Sequence, residues 1–135
     1  MRGGAWVAAA LLLAGCSLGK DMAAADAGVA DFHADLNAGR LDHILRFAGP
    51  ELSAPVPRAT FGKLLDAVQR KLGAYVSGQR TGFNDQAGLQ GHLMTVSYAS
   101  TYQRGAAQEV FVFRLASGAS TLVGYTINST QLVTG

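Results

Sequence analysis

Tyr98, Glu109, Phe111 and Tyr125 make the strongest chemical grouping in this chain. Glu109 opens the run Glu109-Val110-Phe111-Val112-Phe113, whose alternation sets the carboxylate on the same strand face as two phenyl rings. A carboxylate drawn into an apolar wall has its pKa raised and can work as an acid or base. Tyr98, Tyr102 and Tyr125 would then line a cavity beside it, one of them serving as a donor. The competing reading sets Glu109 where the sheet opens to solvent, hydrogen-bonded to Ser100 or Tyr125, with the tyrosines packing and their hydroxyls at the rim. His33, His43 and His92 fall one per element, without the H-x-H or H-x₃-H spacing of convergent metal ligands. They read as surface or rim imidazoles, and no metal is expected. No G-x-S-x-G surrounds a serine, and neither a P-loop nor G-x-G-x-x-G is present, so no hydrolase elbow and no nucleotide cofactor is expected.

Cys16 is the only cysteine, so it has no partner for an internal disulfide. Ahead of it stand Met1-Arg2-Gly3-Gly4, ten residues without a polar group (5–14), and Gly15. A short basic start, a brief apolar run and small residues at a cut site make a secretory signal. The run is too short for a membrane span, since about 30 Å of hydrocarbon takes about 20 helical residues. Leu13-Ala14-Gly15-Cys16 resembles the lipobox of bacterial lipoproteins. That resemblance implies cleavage before Cys16, a diacylglycerol on its sulfur and further acylation, as with palmitate, of the new amine. Each buried methylene contributes about 0.8 kcal/mol, and two chains suffice for stable anchoring where one does not. Ser17 after the cysteine implies, within that family, sorting to an outer membrane facing the periplasm. The alternatives are an ordinary buried cysteine, or a cut at another small residue that yields a secreted protein. The expected division is a signal peptide at 1–15, a lipidated tether at 16–23 and one α+β domain at 24–135.

Removing 15 of the 135 residues leaves 120, enough for a single domain with a real core. Loss of Arg2 with the leader leaves ten Lys/Arg against nine Asp/Glu, and Arg70-Lys71 is the one adjacent basic pair. That balance gives no electrostatic footprint for nucleic acid. The five aspartates between positions 21 and 42 read as a solvated helix face.

The elements that would hold these residues follow from periodicity. Val29, Phe32 and Leu36, extended by Ala25, predict a helix over 23–38 with Asp31 and Asp35 on other faces, closed by Gly39. A short helix over 41–47 presents Leu41, Ile44 and Leu45 and stops at Gly49-Pro50. Pro55 and Pro57 keep the next stretch extended. A third helix, N-capped by Thr60, carries Phe61, Leu64, Leu65, Val68 and Leu72 as one stripe and ends at Gly73.

The period then changes to two, predicting strands at 75–83, 90–102, 107–115 and 121–128, with turns at Asn84-Asp85 and Gly88, Arg104-Gly105, and Ser117-Gly118. Short loops make the strands antiparallel neighbours. A two-residue Arg104-Gly105 loop would set Tyr98 opposite Phe111, Val96 opposite Phe113 and Met94 opposite Leu115. A three-residue loop over 116–118 would set Val123 opposite Phe111 and Tyr125 opposite Glu109. One face then gathers Met94, Val96, Tyr98, Phe111, Phe113, Leu115, Val123, Tyr125 and Ile127. A two-residue Gly118-Ala119 loop would turn the last strand's apolar residues outward. Burying a large apolar side chain is worth about 1.5–3 kcal/mol, so the common face outweighs a turn preference.

The expected fold is therefore α+β, with helices on one face of a curved four-stranded antiparallel sheet. Val110 and Val112 on the outer face suggest cover there too, as in a homodimer. The segments FHADLNAGRLD, KLG, VSYASTY, EVFVFRL and LVGYTIN resemble a bacterial envelope family bearing a domain-of-unknown-function label, placed in the nuclear-transport-factor-2-like or cystatin-like superfamily. The resemblance covers about residues 24–132. It implies a cone-like fold with a pocket between sheet and helices, shallow or absent here because a hairpin is missing. It implies no activity, because that superfamily hosts enzymes, binding modules and assembly domains. The leading expectation is a non-enzymatic envelope lipoprotein binding a protein partner or an apolar small ligand. The alternatives are a small isomerase or dehydratase using Glu109 as base, and a structural subunit of an envelope complex.

Overall fold

The computed structural model describes the backbone of residues 2–89 and 91–134 and the side chains from residue 18 onward within that span. The Cys16 side chain, and with it the lipidation reading, lies outside the described residues. The order is α1 (Arg2–Asn37), α2 (Leu41–Phe47), a 3₁₀ turn (Pro50–Ser53), α3 (Arg58–Leu72), β1 (Tyr75–Gly88), β2 (Gly91–Tyr102), β3 (Gly105–Ala116), β4 (Ala119–Asn128) and a final turn of helix, α4 (Thr130–Thr134). The four strands form one curved antiparallel meander, β1-β2-β3-β4, open at both edges. Among the described residues no helix is long and apolar enough to cross a membrane.

Helix α1 buries the predicted stripe of Ala25, Val29, Phe32 and Leu36. Gly39, at φ 72°, closes it: the Arg40 amide bonds Asp35 O at 2.8 Å and the Gly39 amide bonds Leu36 O at 3.1 Å. Residues 16–23, expected as a lipidated tether, are part of this helix. Leu18, Lys20, Met22, Ala23 and Ala24 are strong helix formers and outweigh the weaker Gly19 and Asp21 among them. Two further corrections concern its faces, since His33 and Asp35, expected at the surface, are both buried. Helix α3 buries Phe61, Leu65, Val68 and Leu72 as predicted, but starts at Arg58 after Pro57 rather than after Thr60. Pro57 is the last breaker before the stripe, and the Phe61 amide already closes a turn on its carbonyl at 3.0 Å.

The sheet presents the expected face to α1 and α3, through a different register. Tyr98 pairs with Glu109, Val96 with Phe111 and Met94 with Phe113, two residues from expectation, because the β2–β3 loop is Gln103-Arg104. A two-residue slip leaves every side chain on its face. Gly105 serves packing rather than the turn, since a Cβ there would stand 2.6 Å from Gln131 Cγ. The loop also docks on α3, with the Arg104 amide bonding Leu72 O at 2.9 Å and its guanidinium reaching Lys71 O at 3.2 Å.

At the β3–β4 turn the loop is Ser117-Gly118, with φ 53° and 77°, the geometry of a type I′ turn. That turn brings Leu122, not Val123, to the inner face opposite Phe113. A bulge at Val123 then restores the parity, so Tyr125 pairs with Phe111 and Ile127 with Glu109. The sequence reading traded turn against face, whereas the bulge satisfies both. Strand β1 runs on to Gly88, taking in the expected turn residues Asn84 and Asp85, with two irregularities at Tyr75/Ser77 and Arg80/Gly82. It is exposed along most of its length.

Candidate functional site

Glu109 projects from β3 into the space between sheet and helices and has no exposed surface. Four donors from three elements surround it. On one carboxylate oxygen, His33 Nε2 of α1 stands at 2.8 Å and Ser100 Oγ of β2 at 2.6 Å. On the other, Tyr102 of β2 donates its hydroxyl at 2.9 Å and Tyr125 of β4 donates from across the sheet. An ionised carboxylate only accepts, so His33 Nε2 carries a proton and donates it to this bond. The imidazole is clamped from behind by Tyr75, stacked at 3.5 Å between ring centroids, and meets Phe32 and Phe111 edge-on.

The electrostatics overturn the expected rise in the Glu109 pKa. Burial does push it up, but the hydrogen bonds from His33, Ser100 and Tyr125, with the His33 charge interaction, more than offset that and hold the carboxyl below its ordinary value. Burial and the neighbouring carboxylate push the Tyr102 and Tyr125 hydroxyls up. The cluster thus holds an ionised acid and neutral phenols. A general base needs a free lone pair within reach of a substrate proton. Glu109 has two donors on each oxygen and no open side.

Of the four residues singled out in the sequence, Glu109, Phe111 and Tyr125 come together, and Tyr98 meets the Phe111 ring edge-on at 6.1 Å between centroids without bringing its hydroxyl to the carboxylate. Tyr98 faces Glu109 across the ladder, yet its hydroxyl donates to Asp26 of α1, which also pairs with Arg80 of β1. Burial and the Asp26 carboxylate push the Tyr98 pKa up. Glu109 is also not the rim carboxylate of the competing reading, although Ser100 and Tyr125 are its partners as that reading had them. His33 and Tyr75 were missed. The signal for His33 was its position four residues after Val29 and three before Leu36, at the margin of the apolar stripe.

A second site is open. Asp31, Phe32 and Asp35 of α1, His43, Ile44 and Phe47 of α2, and Phe113 and Leu122 of the sheet enclose a cleft of about 340 Å³. Beside it α1 lies directly on the sheet at Gly28, where a Cβ would stand 2.7 Å from the Phe113 ring. Asp35 accepts from His43 Nδ1 at 2.7 Å and pairs with Arg40 at 3.1 Å. With Nδ1 donating, Nε2 of a neutral His43 offers a lone pair. Phe47 stands 4.7 Å from the His43 ring and is 64% exposed, so an apolar ring is held at the edge of the cleft.

A third cluster joins α1 to the β1–β2 hairpin. Asp21, Asp85 and His92 lie close enough together to hold a cation, the one such group among the described residues. His92 Nε2 already bonds Asp85 and lies 3.7 Å from Asp21, so the three satisfy one another as an ion-pair cluster.

Comparison of the chain with family models, with curated proteins and with solved structures returned no match.

Proposed function

We propose that this chain is a lipid-anchored protein of a bacterial envelope, and that its domain is a non-catalytic binding module taking an apolar small ligand in the cleft between α1, α2 and the β3–β4 hairpin. The observation that carries the binding half is the contrast in access within one domain. The carboxylate set among aromatic rings is saturated by four donors and closed to solvent. The accessible hollow is instead walled by Phe32, Ile44, Phe113 and Leu122. Pockets of this kind, mostly apolar with a few polar groups, are where small ligands bind. The anchoring half rests on Leu13-Ala14-Gly15-Cys16 and the apolar run before it. On this reading the domain is a short member of the nuclear-transport-factor-2-like or cystatin-like superfamily, with helices closing one mouth of an incomplete cone.

Mass spectrometry of the N-terminal peptide tests the anchor. The native product should begin at Cys16 with a diacylglycerol on sulfur and sediment with membranes, and Cys16→Ala should abolish both. An unmodified thiol in a soluble product with its leader attached would refute it.

A further inference from the structure

We propose that the cleft selects a small cation, an ammonium group carried on a compact apolar body, a proposal that rests on the binding reading above. The floor is apolar and indifferent to charge, so discrimination falls to the polar groups of the wall. Those with charge or a fixed role all accept hydrogen bonds. Asp31 is an exposed carboxylate on the α1 wall and has no ion-pair partner among the described residues. Asp35, one turn on, has its charge matched by Arg40. The same carboxylate accepts a hydrogen bond from His43 Nδ1–H, leaving Nε2 of the neutral ring as an acceptor. No lysine or arginine lines the cleft among the described residues. Arg40 reaches Asp35 without being part of that wall. An anionic head would therefore meet the uncompensated Asp31 charge and find no cationic donor.

An ammonium head has what these groups lack: positive charge for Asp31, N–H donors for His43 Nε2, and a cation for the exposed face of Phe47. Its apolar body would lie over Phe32, Phe113 and Leu122, next to the close contact of α1 with the sheet at Gly28. A cleft of about 340 Å³ lies at the small end of ligand pockets, which suits one ring or a short chain.

The test uses the ¹⁵N-labelled full chain in detergent and three probes of one shape: 2-phenylethylammonium, 2-phenylethanol and 3-phenylpropanoate. Amide shifts at Ile44, Phe47 and Phe113 report occupancy. The ammonium should bind about tenfold more tightly than the carboxylate, with the alcohol between them. Asp31→Asn should bring the ammonium down to the affinity of the alcohol. In the unaltered protein, raising salt from about 0.05 to about 0.5 M should narrow the gap, a second reading that does not depend on the variant folding. If the alcohol fills the cleft and the ammonium binds no better than the carboxylate, the cation proposal falls while the binding reading stands. If ammonium preference survives both Asp31→Asn and high salt, the assignment to Asp31 is wrong. If none of the three probes moves the cleft amides, both readings fall together.

Discussion

Helix α1 enters two histidine–carboxylate pairs from positions two residues apart, and they have opposite characters. At His33 the helix supplies the imidazole and β3 the carboxylate, with 4% and 0% of the two side chains exposed. At Asp35 the helix supplies the carboxylate and α2 the imidazole, with 11% and 49% exposed. The bond lengths, 2.8 and 2.7 Å, do not separate them. Surroundings do. The first pair is embedded in two tyrosine hydroxyls, a serine and a stacked ring, so every acceptor position is taken. The second keeps one imidazole nitrogen and an apolar hollow free. The same residue types therefore serve as a structural clamp in one place and as a ligand-facing wall in the other, and the sequence motif alone cannot tell which is which.

The largest expected effect lies in the clamp. Glu109→Gln keeps the shape but turns one acceptor oxygen into a donor facing groups that already donate. Disrupting a buried, hydrogen-bonded pair costs about 3 kcal/mol or more, so a clear fall in the urea midpoint is expected. A change within about 0.5 kcal/mol would mean that the four donors find other partners, and the contrast with the open pair would collapse. The same residue sets a pH signature. Its folded pKa lies below the ordinary carboxylate value, so its stabilisation is fully present above the unfolded pKa of about 4.3. It is lost as pH falls through the lower folded pKa. Urea midpoints taken from neutral to acid should therefore fall more steeply for the native chain than for Glu109→Gln, and the two curves should converge at the acid end. Parallel curves would show that Glu109 is not the group responsible.

How much of this was legible in the sequence depended on which signal repeats. The α1 and α3 stripes and the inner face of β2 and β3 were readable because burial recurs at the period of the element. Register was not, because a two-residue slip conserves faces and only the docking of Gln103-Arg104 on α3 decides it. Val123 was misplaced for a related reason. A bulge changes parity within a strand, and nothing in Thr121-Leu122-Val123-Gly124 announces it in advance, although Gly124 packs close enough that a Cβ would meet Val112 at 3.1 Å. Glu109 was visible as a carboxylate in an aromatic strand. Its protonation preference was not, because that depends on His33, far away in sequence and brought over by the packing of α1. The cleft was hidden for the same reason. Its lining comes from two helices and two strands, and its acidic residues read as an ordinary solvated face.

The smallest effect, and the one that sharpens the comparison most, belongs to Asp35→Asn. The substitution removes charge from a pair whose partners, His43 and Arg40, are 49% and 61% exposed. Solvent can take over the Arg40 cation and reach the half-exposed His43 ring, so the cost should be about 1 kcal/mol or less. It should be smaller than that of Glu109→Gln in the same urea series, and the acid limb of the native curve should survive because the Glu109 cluster is untouched. The asparagine oxygen can still accept from Nδ1, so the His43 tautomer should persist in the imidazole ¹⁵N shifts while the salt dependence contributed by Arg40 disappears. A loss as large as that at Glu109 would mean that Asp35, despite its half-exposed partner, is as much a clamp as the interior pair. The α1–α2 junction would then be part of the core rather than the wall of a binding site.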